Sequence, residues 1–367
     1  MLNLYKNFNL TFFFILLLLF PASLISGPLI PEIISFILII FFFKKIKNNH
    51  LFLKSKYFIF FICFYIYFLI LSIFTNSVSN IFTDHFFYFR FFCLSSAIYF
   101  LLNENNKFLK YFSISITITI TILILDVFIQ YIFGKNIIGM EITTVNRYSG
   151  LFGSELVLGS YVSRMFPFVF GLIYIHKDDY RYGNLILYCF TLISCLSIFI
   201  SGERTAVGLL AISLFFIIIK KDNRKFSIML MLILAIALSS LFYFNKSLRY
   251  RIIIEPFHQM SLLGNNILDK YSDVATAYES ENLYQFFIFS SHHHSHYVTA
   301  LNMFKENIIF GVGPEKFRHN CRLINYSSGQ DPCSTHPHNV LLQVMSETGL
   351  VGLIFFLVVF TFVIREV

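Results

Sequence analysis

Charged side chains are scarce in this chain: Asp, Glu, Lys and Arg make up 13% of its 367 residues. Apolar residues make up 57%, and 49 positions are phenylalanine. A soluble domain has too little interior to hide that much apolar surface. The shortage of charge therefore excludes a soluble globular protein and points to a polytopic membrane protein. No repeat of solenoid type recurs and no low-complexity linker breaks the chain. A cleavable leader is not expected either. Lys6 precedes the first apolar run and small residues follow it, but no Ala-x-Ala-like site is evident and a second run comes at once. The net charge of +8 is no nucleic-acid signature here, because Lys and Arg in such a chain mostly mark cytoplasmic loops.

What is present is a series of apolar runs near the roughly 17–25 residues that cross about 30 Å of hydrocarbon as helix. They fall at 9–25, 27–43, 57–74, 86–103, 111–133, 158–175, 184–200, 205–219, 226–244 and 349–364. The expected fold is all-α, with about ten transmembrane helices. With the N-terminus inside, the inside loops are 44–56, 104–110, 176–183 and 220–225, and each is basic, whereas the outside connections at 26 and 75–85 carry no Lys or Arg. The expected organisation is a nine-span bundle over 1–244, one large outside loop over 245–337, and a motif helix with the final span over 338–367.

The arginines depart from the lysines. Arg181, Arg224 and Arg365 fall inside, Arg90 and Arg164 fall within spans, but Arg147, Arg204, Arg249, Arg251, Arg318 and Arg322 fall outside. A planar five-donor fork suits phosphate, which is one reason to gather arginine where cations are disfavoured. Pairing with Glu155, Glu203, Glu255 or lipid headgroups is the plainer reading of any single one. Cys63, Cys93, Cys189 and Cys195 lie in apolar runs and are expected as small buried hydrophobes.

The stretch "THPHNVLLQVMSETGLVGL", 335–353, puts His336 and His338 at the mouth of the last apolar run. Pro337 fixes the backbone before His338, and Thr335 is expected to help cap the turn. Gln343 and Glu347, four apart, share a helix face. Gly349 and Gly352 allow close packing or a break before the span.

His338-Asn339, nine residues, Gly349, two residues, Gly352 resembles the His-Asn-x9-Gly-x-x-Gly motif of the O-antigen ligase and O-antigen polymerase superfamily. Three further stretches are similar to that family: "NMFKENIIFGVGPEKFR" at 302–318 with Gly311 and Gly313, "SGERTAVGLL" at 201–210 with Arg204, and "RYSGLFGSELVLGSY" at 147–161 with Arg147. The resemblance covers about 145–364. Two features depart from it. The family's arginine upstream of Gly-Val-Gly, often followed by Trp, is replaced by "SSHHHSHYVTALNMF" in a chain with no Trp, and the family usually continues for one or two more spans.

The resemblance implies a multi-pass enzyme of the bacterial inner membrane, with its site facing the periplasm. It implies transfer of a glycan from a polyprenyl pyrophosphate to an acceptor hydroxyl such as that of lipid A-core, with no cofactor and no metal. His338 is implied as the base. Arg204 and Arg147, with Arg249, Arg251 and Arg318, are candidates for the pyrophosphate, and His336, Asn339 and Glu347 are supporting residues. An O-antigen polymerase, which joins lipid-linked repeats, has the same donor chemistry. A transporter using Arg90, Asp126 and Arg164 is a third reading, because intramembrane charges are functional suspects. "ENLYQF…HHHSH" at 281–296 superficially resembles a protease site and a tag, but runs without a break into the motifs. His292, His293, His294 and His296 supply no closed metal-ligand set by spacing. Cys321 and Cys333 are the two cysteines of the outside loop, placed in an oxidising compartment with the turn residues "SSGQDP" between them, and are expected to form a disulfide.

Overall fold

The computed structural model describes residues 2–75, 86–142, 147–219, 224–259, 262, 291–329 and 331–366. Each apolar run falls on a helix. These are α1 (Leu2–Ser23), α2 (Leu29–Ile46), α3 (Lys56–Thr75), α4 (Phe89–Asn103), α5 (Asn106–Phe133), α6 (Leu158–His176), α7 (Gly183–Ile200), α8 (Arg204–Ile219) and α9 (Arg224–Phe244). The polar α10 (Ser291–Glu306) and the long α11 (Val340–Glu366) follow. No β-strand occurs among the described residues; an isolated bridge joins Lys135 to Glu141.

Helix is the physical solution where no water can satisfy the backbone. It wins even in α5, whose "ISITITITILIL" alternates like a strand. There the Thr117 and Thr119 hydroxyls donate to the carbonyls of Ser113 and Ser115, so the helix absorbs its own polar side chains. Among the described residues six helices are long and apolar enough to cross a bilayer, or seven if Met231–Phe244 and Lys246–His258, bent by 110°, count as one span. Leu10–Ser23 and Arg204–Ile218 are apolar but shorter. At 1.5 Å per residue, a helix like the latter reaches only roughly 23 Å of the 30 Å core. α2 carries Glu32, Lys44 and Lys45 within its 18 residues. The ten expected spans are thus all helical, and six of them meet the length and composition of a full crossing. The chain is a multi-pass membrane protein.

The chain forms two compact units interleaved in sequence. The first is built mainly from Met1–Leu38 and Ile98–His258, the second mainly from Ile39–Ala97 and Glu281–Val367. In the first, α1 packs on α5, and α6 packs on α7 and α8 around Val162, Phe166 and Ile198, all fully buried. In the second, α11 packs on α10 and on α3. The described parts of the 245–337 segment are themselves partly helical, Lys246–Arg249 in the first unit and α10 in the second. The basic residues Lys220 and Lys221, the connection 76–85 and the "ENLYQF" stretch lie outside the described residues.

Cys93 and Cys195 are buried as expected, but Cys63 and Cys189 are exposed. The reason is the solvent. On a spanning helix an apolar thiol loses nothing by facing lipid tails, so hydropathy alone does not decide which way it points. Asp126 sits fully buried in α5, where its Oδ1 accepts from the amide of Ile137 at 2.8 Å. Gln130 accepts from Gly150 N at 2.8 Å, and Asn136 donates to Gly150 O at 2.9 Å. This polar knot anchors the loop that leads into the "RYSGLFG" element.

Candidate functional site

The second unit places the motif residues around a break in α11. Gly349 has φ 64° and ψ −161°, so the helical ladder stops there and its groups must find other partners. The Gly-Val-Gly segment supplies them. Val312 N donates to Ser346 O at 2.8 Å and Gly313 N to Glu347 O at 3.0 Å, while Leu350 N donates to Ile308 O at 2.8 Å. The Tyr67 hydroxyl from α3 donates to Thr348 O at 2.6 Å. Two glycines make the approach possible. A Cβ on Gly311 would lie 2.5 Å from the Glu347 carbonyl carbon, and one on Gly349 would lie 2.3 Å from Ile309 O.

Glu347 is buried and turned to structural use. One oxygen accepts from Phe317 N at 3.2 Å and the other from Gln343 Nε2 at 3.2 Å. Beside it a cavity of about 290 Å³ opens between α3 and α11, lined by Phe60, Phe64, Phe68, Phe355 and Val359.

His338 stands two residues before α11. The cap expected from Thr335 comes instead from Asn339, whose Oδ1 accepts from Leu342 N at 3.1 Å, while Thr335 Oγ1 lies 2.9 Å from His336 Nδ1. His338 has φ 56°, the left-handed region that few side chains occupy without a cost of about 1–3 kcal/mol. Ser334 Oγ lies 2.9 Å from its Nε2. Cys321 and Cys333 are joined, with Cα atoms 5.2 Å apart. Cys321 packs in a core with Ala300, Met303 and Phe317, against which Cys333 and Leu342 lie. The strand of chain that carries Ser334 to His338 therefore leaves directly from a cross-linked, packed knot.

Three other imidazoles surround His338. His336 lies 4.4 Å away between ring centroids, and His293 and His296 of α10 lie at 5.1 and 5.5 Å. Desolvation comes first, then repulsion from His336, His293 and His296, and together they push the His338 pKa down to about 4. The lowered pKa keeps the ring neutral at ordinary pH, and its open edge keeps it reachable from solvent. The run 292–296 shows no ligand set by its own spacing. It gains a third imidazole from His338, because α10 folds against α11. The i, i+3 spacing of His293 and His296 signals a shared face, but nothing in the sequence says what that face meets. The His292 side chain lies outside the described residues.

The arginine candidates are divided between the units. In the first, the "SGERT" turn begins α8. Glu203 there accepts from Gly159 N, Ser160 N and Ser160 Oγ at 2.7, 3.0 and 2.6 Å, capping the start of α6. Arg204 and Arg251 both face Glu255 at 3.6 Å, and Arg251 Nε donates to Gly202 O at 3.0 Å. Arg249 lies two residues before Arg251 on the same turn of chain. Arg147 donates to Leu156 O at 3.1 Å. Arg318 belongs to the second unit, exposed and 3.8 Å from Glu315. Glu255, one of the carboxylates the sequence offered as partners for the outside arginines, is shared by two of the candidates. A search of the curated proteins finds no match to the chain. Residues 189–357, which span the "SGERT" turn, Gly-Val-Gly and His338, match the family described as O-antigen ligase, and that match supports the resemblance to the O-antigen ligase and polymerase superfamily.

Proposed function

We propose that this protein is an O-antigen ligase-type glycosyltransferase of the bacterial inner membrane. It moves a glycan from polyprenyl pyrophosphate to the hydroxyl of a glycolipid acceptor such as lipid A-core, at the periplasmic face. The family supports glycan transfer in a membrane setting. The observation that carries the reading further is His338, neutral, open on one edge and held in a strained backbone geometry at the mouth of α11. Strain of that kind persists where the surroundings over-determine it, as at catalytic sites.

In the proposed step the acceptor O–H gives its proton to the His338 nitrogen that Ser334 does not engage. The oxygen attacks the anomeric carbon. The bond from that carbon to the pyrophosphate oxygen breaks, and its electron pair leaves on the pyrophosphate. Direct displacement inverts the centre. Arginine forks stabilise the growing charge as fixed donors, and Arg204, Arg147, Arg249, Arg251 and Arg318 are the candidates for that role. The Phe-lined cavity beside Glu347 takes part of the isoprenoid tail.

The glycolipids of a deletion strain test the reading. Accumulation of unligated lipid-linked polymer is expected. Single-repeat glycan alone would make the protein a polymerase, and an unchanged profile would remove glycan transfer altogether. In complementation, His338→Ala should lose about 10²–10⁴ in transfer rate while remaining in the membrane.

A further inference from the structure

The densest group of titratable side chains in the second unit is the imidazole cluster at the end of α10. His293 and His296 are one helical turn apart, half-buried and buried, and both present their rings to His338. One nitrogen from each of the three lies within 4.8 Å of the other two. Glycan transfer by a single base requires one imidazole there, so the convergence of three calls for its own account.

Three imidazole nitrogens converging on one point are a transition-metal ligand set. Imidazole suits zinc, copper and nickel, whereas magnesium and calcium prefer oxygen. Zinc–nitrogen bonds of 2.0–2.1 Å at tetrahedral angles bring donor nitrogens about 3.4 Å apart. From 4.8 Å the closure is roughly 1.4 Å, within reach of side-chain rotation with no movement of helices. Two donors come from one rigid helix face, and the third from a loop fixed by the Cys321–Cys333 bond. Ser334, 2.9 Å from His338 Nε2, supplies the outer partner that ligating histidines usually have. The open edge of His338 leaves a fourth position for water.

We propose that His293, His296 and His338 form a binding site for a zinc-class divalent transition-metal ion, and that its occupation blocks glycan transfer. The site rests on the three imidazoles alone. The block rests on the proposed role of His338 as the base, because a lone pair bound to a metal cannot accept a proton. Metal binding and proton abstraction then exclude each other, so the ion acts as a reversible off-state of the enzyme.

The test uses the full-length protein, purified in detergent, stripped with chelator and titrated with zinc ion alone. One ion per chain is expected, with an X-ray absorption signature of three imidazole nitrogens. His296→Ala and His338→Ala should each weaken binding by about 100-fold or more, at least the loss seen on removing outer-shell partners. His294→Ala, outside the cluster, should bind as the parent does. Retention of the Cys321–Cys333 bond in each variant reports that the segment has folded. No saturable binding, or binding that survives His338→Ala and disappears with His294→Ala, overturns the site and leaves the base assignment standing. In the activity arm, stoichiometric zinc should stop transfer and chelator should restore it. One ion bound at the three histidines with transfer undiminished overturns the block, whereas normal transfer by metal-free His338→Ala would instead strike down the base role.

Discussion

The amide of Gly313 donates to the carbonyl of Glu347 at 3.0 Å, and this bond ties the Gly-Val-Gly segment to the broken turn of the last helix. Two motifs that stand apart in the chain are therefore one piece of structure. A helix interrupted near a membrane leaves carbonyls and amides that lipid cannot satisfy, and a second backbone is the partner that restores them.

Gly349→Ala tests that joint. The new Cβ would meet Ile309 O at 2.3 Å, at a φ of 64° and a ψ near the extended limit, a region reserved for glycine. Backbone strain alone should cost about 1–3 kcal/mol. Thermal unfolding in detergent should show a lower midpoint and transfer should fall with it. A variant as stable as the parent would mean the turn re-forms without the glycine.

The pH profile follows from the partial burial of His338 and then from the imidazoles around it. Its pKa is lowered to about 4, so the neutral, proton-accepting form persists through ordinary pH and is lost only as pH falls through that value. In chelator-treated protein, kcat/KM should stay level on the acid side until about pH 4. The groups that face it are His336, His293 and His296. His336→Ala removes one of the like charges that lower the pKa, so the acid limb should move up toward the ordinary histidine value of 6.5. An unmoved limb would show that another group controls it.

Arg204→Lys keeps the charge and loses the fork. Loss of charge-assisted hydrogen bonds worth about 1.5–3 kcal/mol should weaken binding of lipid pyrophosphate by roughly tenfold or more. Binding to the purified protein measures it directly. Unchanged affinity and turnover would make Arg204 a structural partner of Glu255, which it faces at 3.6 Å.

Cys321→Ser should destabilise the second unit by roughly 2–4 kcal/mol and reduce transfer by loosening the segment that carries His338. Thiol labelling under denaturing conditions checks the bond itself. Without reductant only Cys63, Cys93, Cys189 and Cys195 should react, and reductant should add Cys321 and Cys333. Full labelling of all six before reduction would show that the bond is absent.

The sequence by itself determined where the helices lie. Each apolar run became one because backbone groups in hydrocarbon have few other ways to be satisfied, and that constraint is local. It also marked Gly349 and Gly352 as places for close packing or a break, and the structure puts the break at Gly349. Direction was less legible. Cys63 and Cys189 turn outward because lipid and protein interior are nearly equivalent solvents for a thiol. What only the tertiary structure decided is which distant residues meet. His338 finds His293 and His296, Arg204 and Arg251 share Glu255, and Asn339 rather than Thr335 caps the last helix. Such meetings depend on how helices pack and how loops close, and hydropathy, which reads each window on its own, carries no information about either.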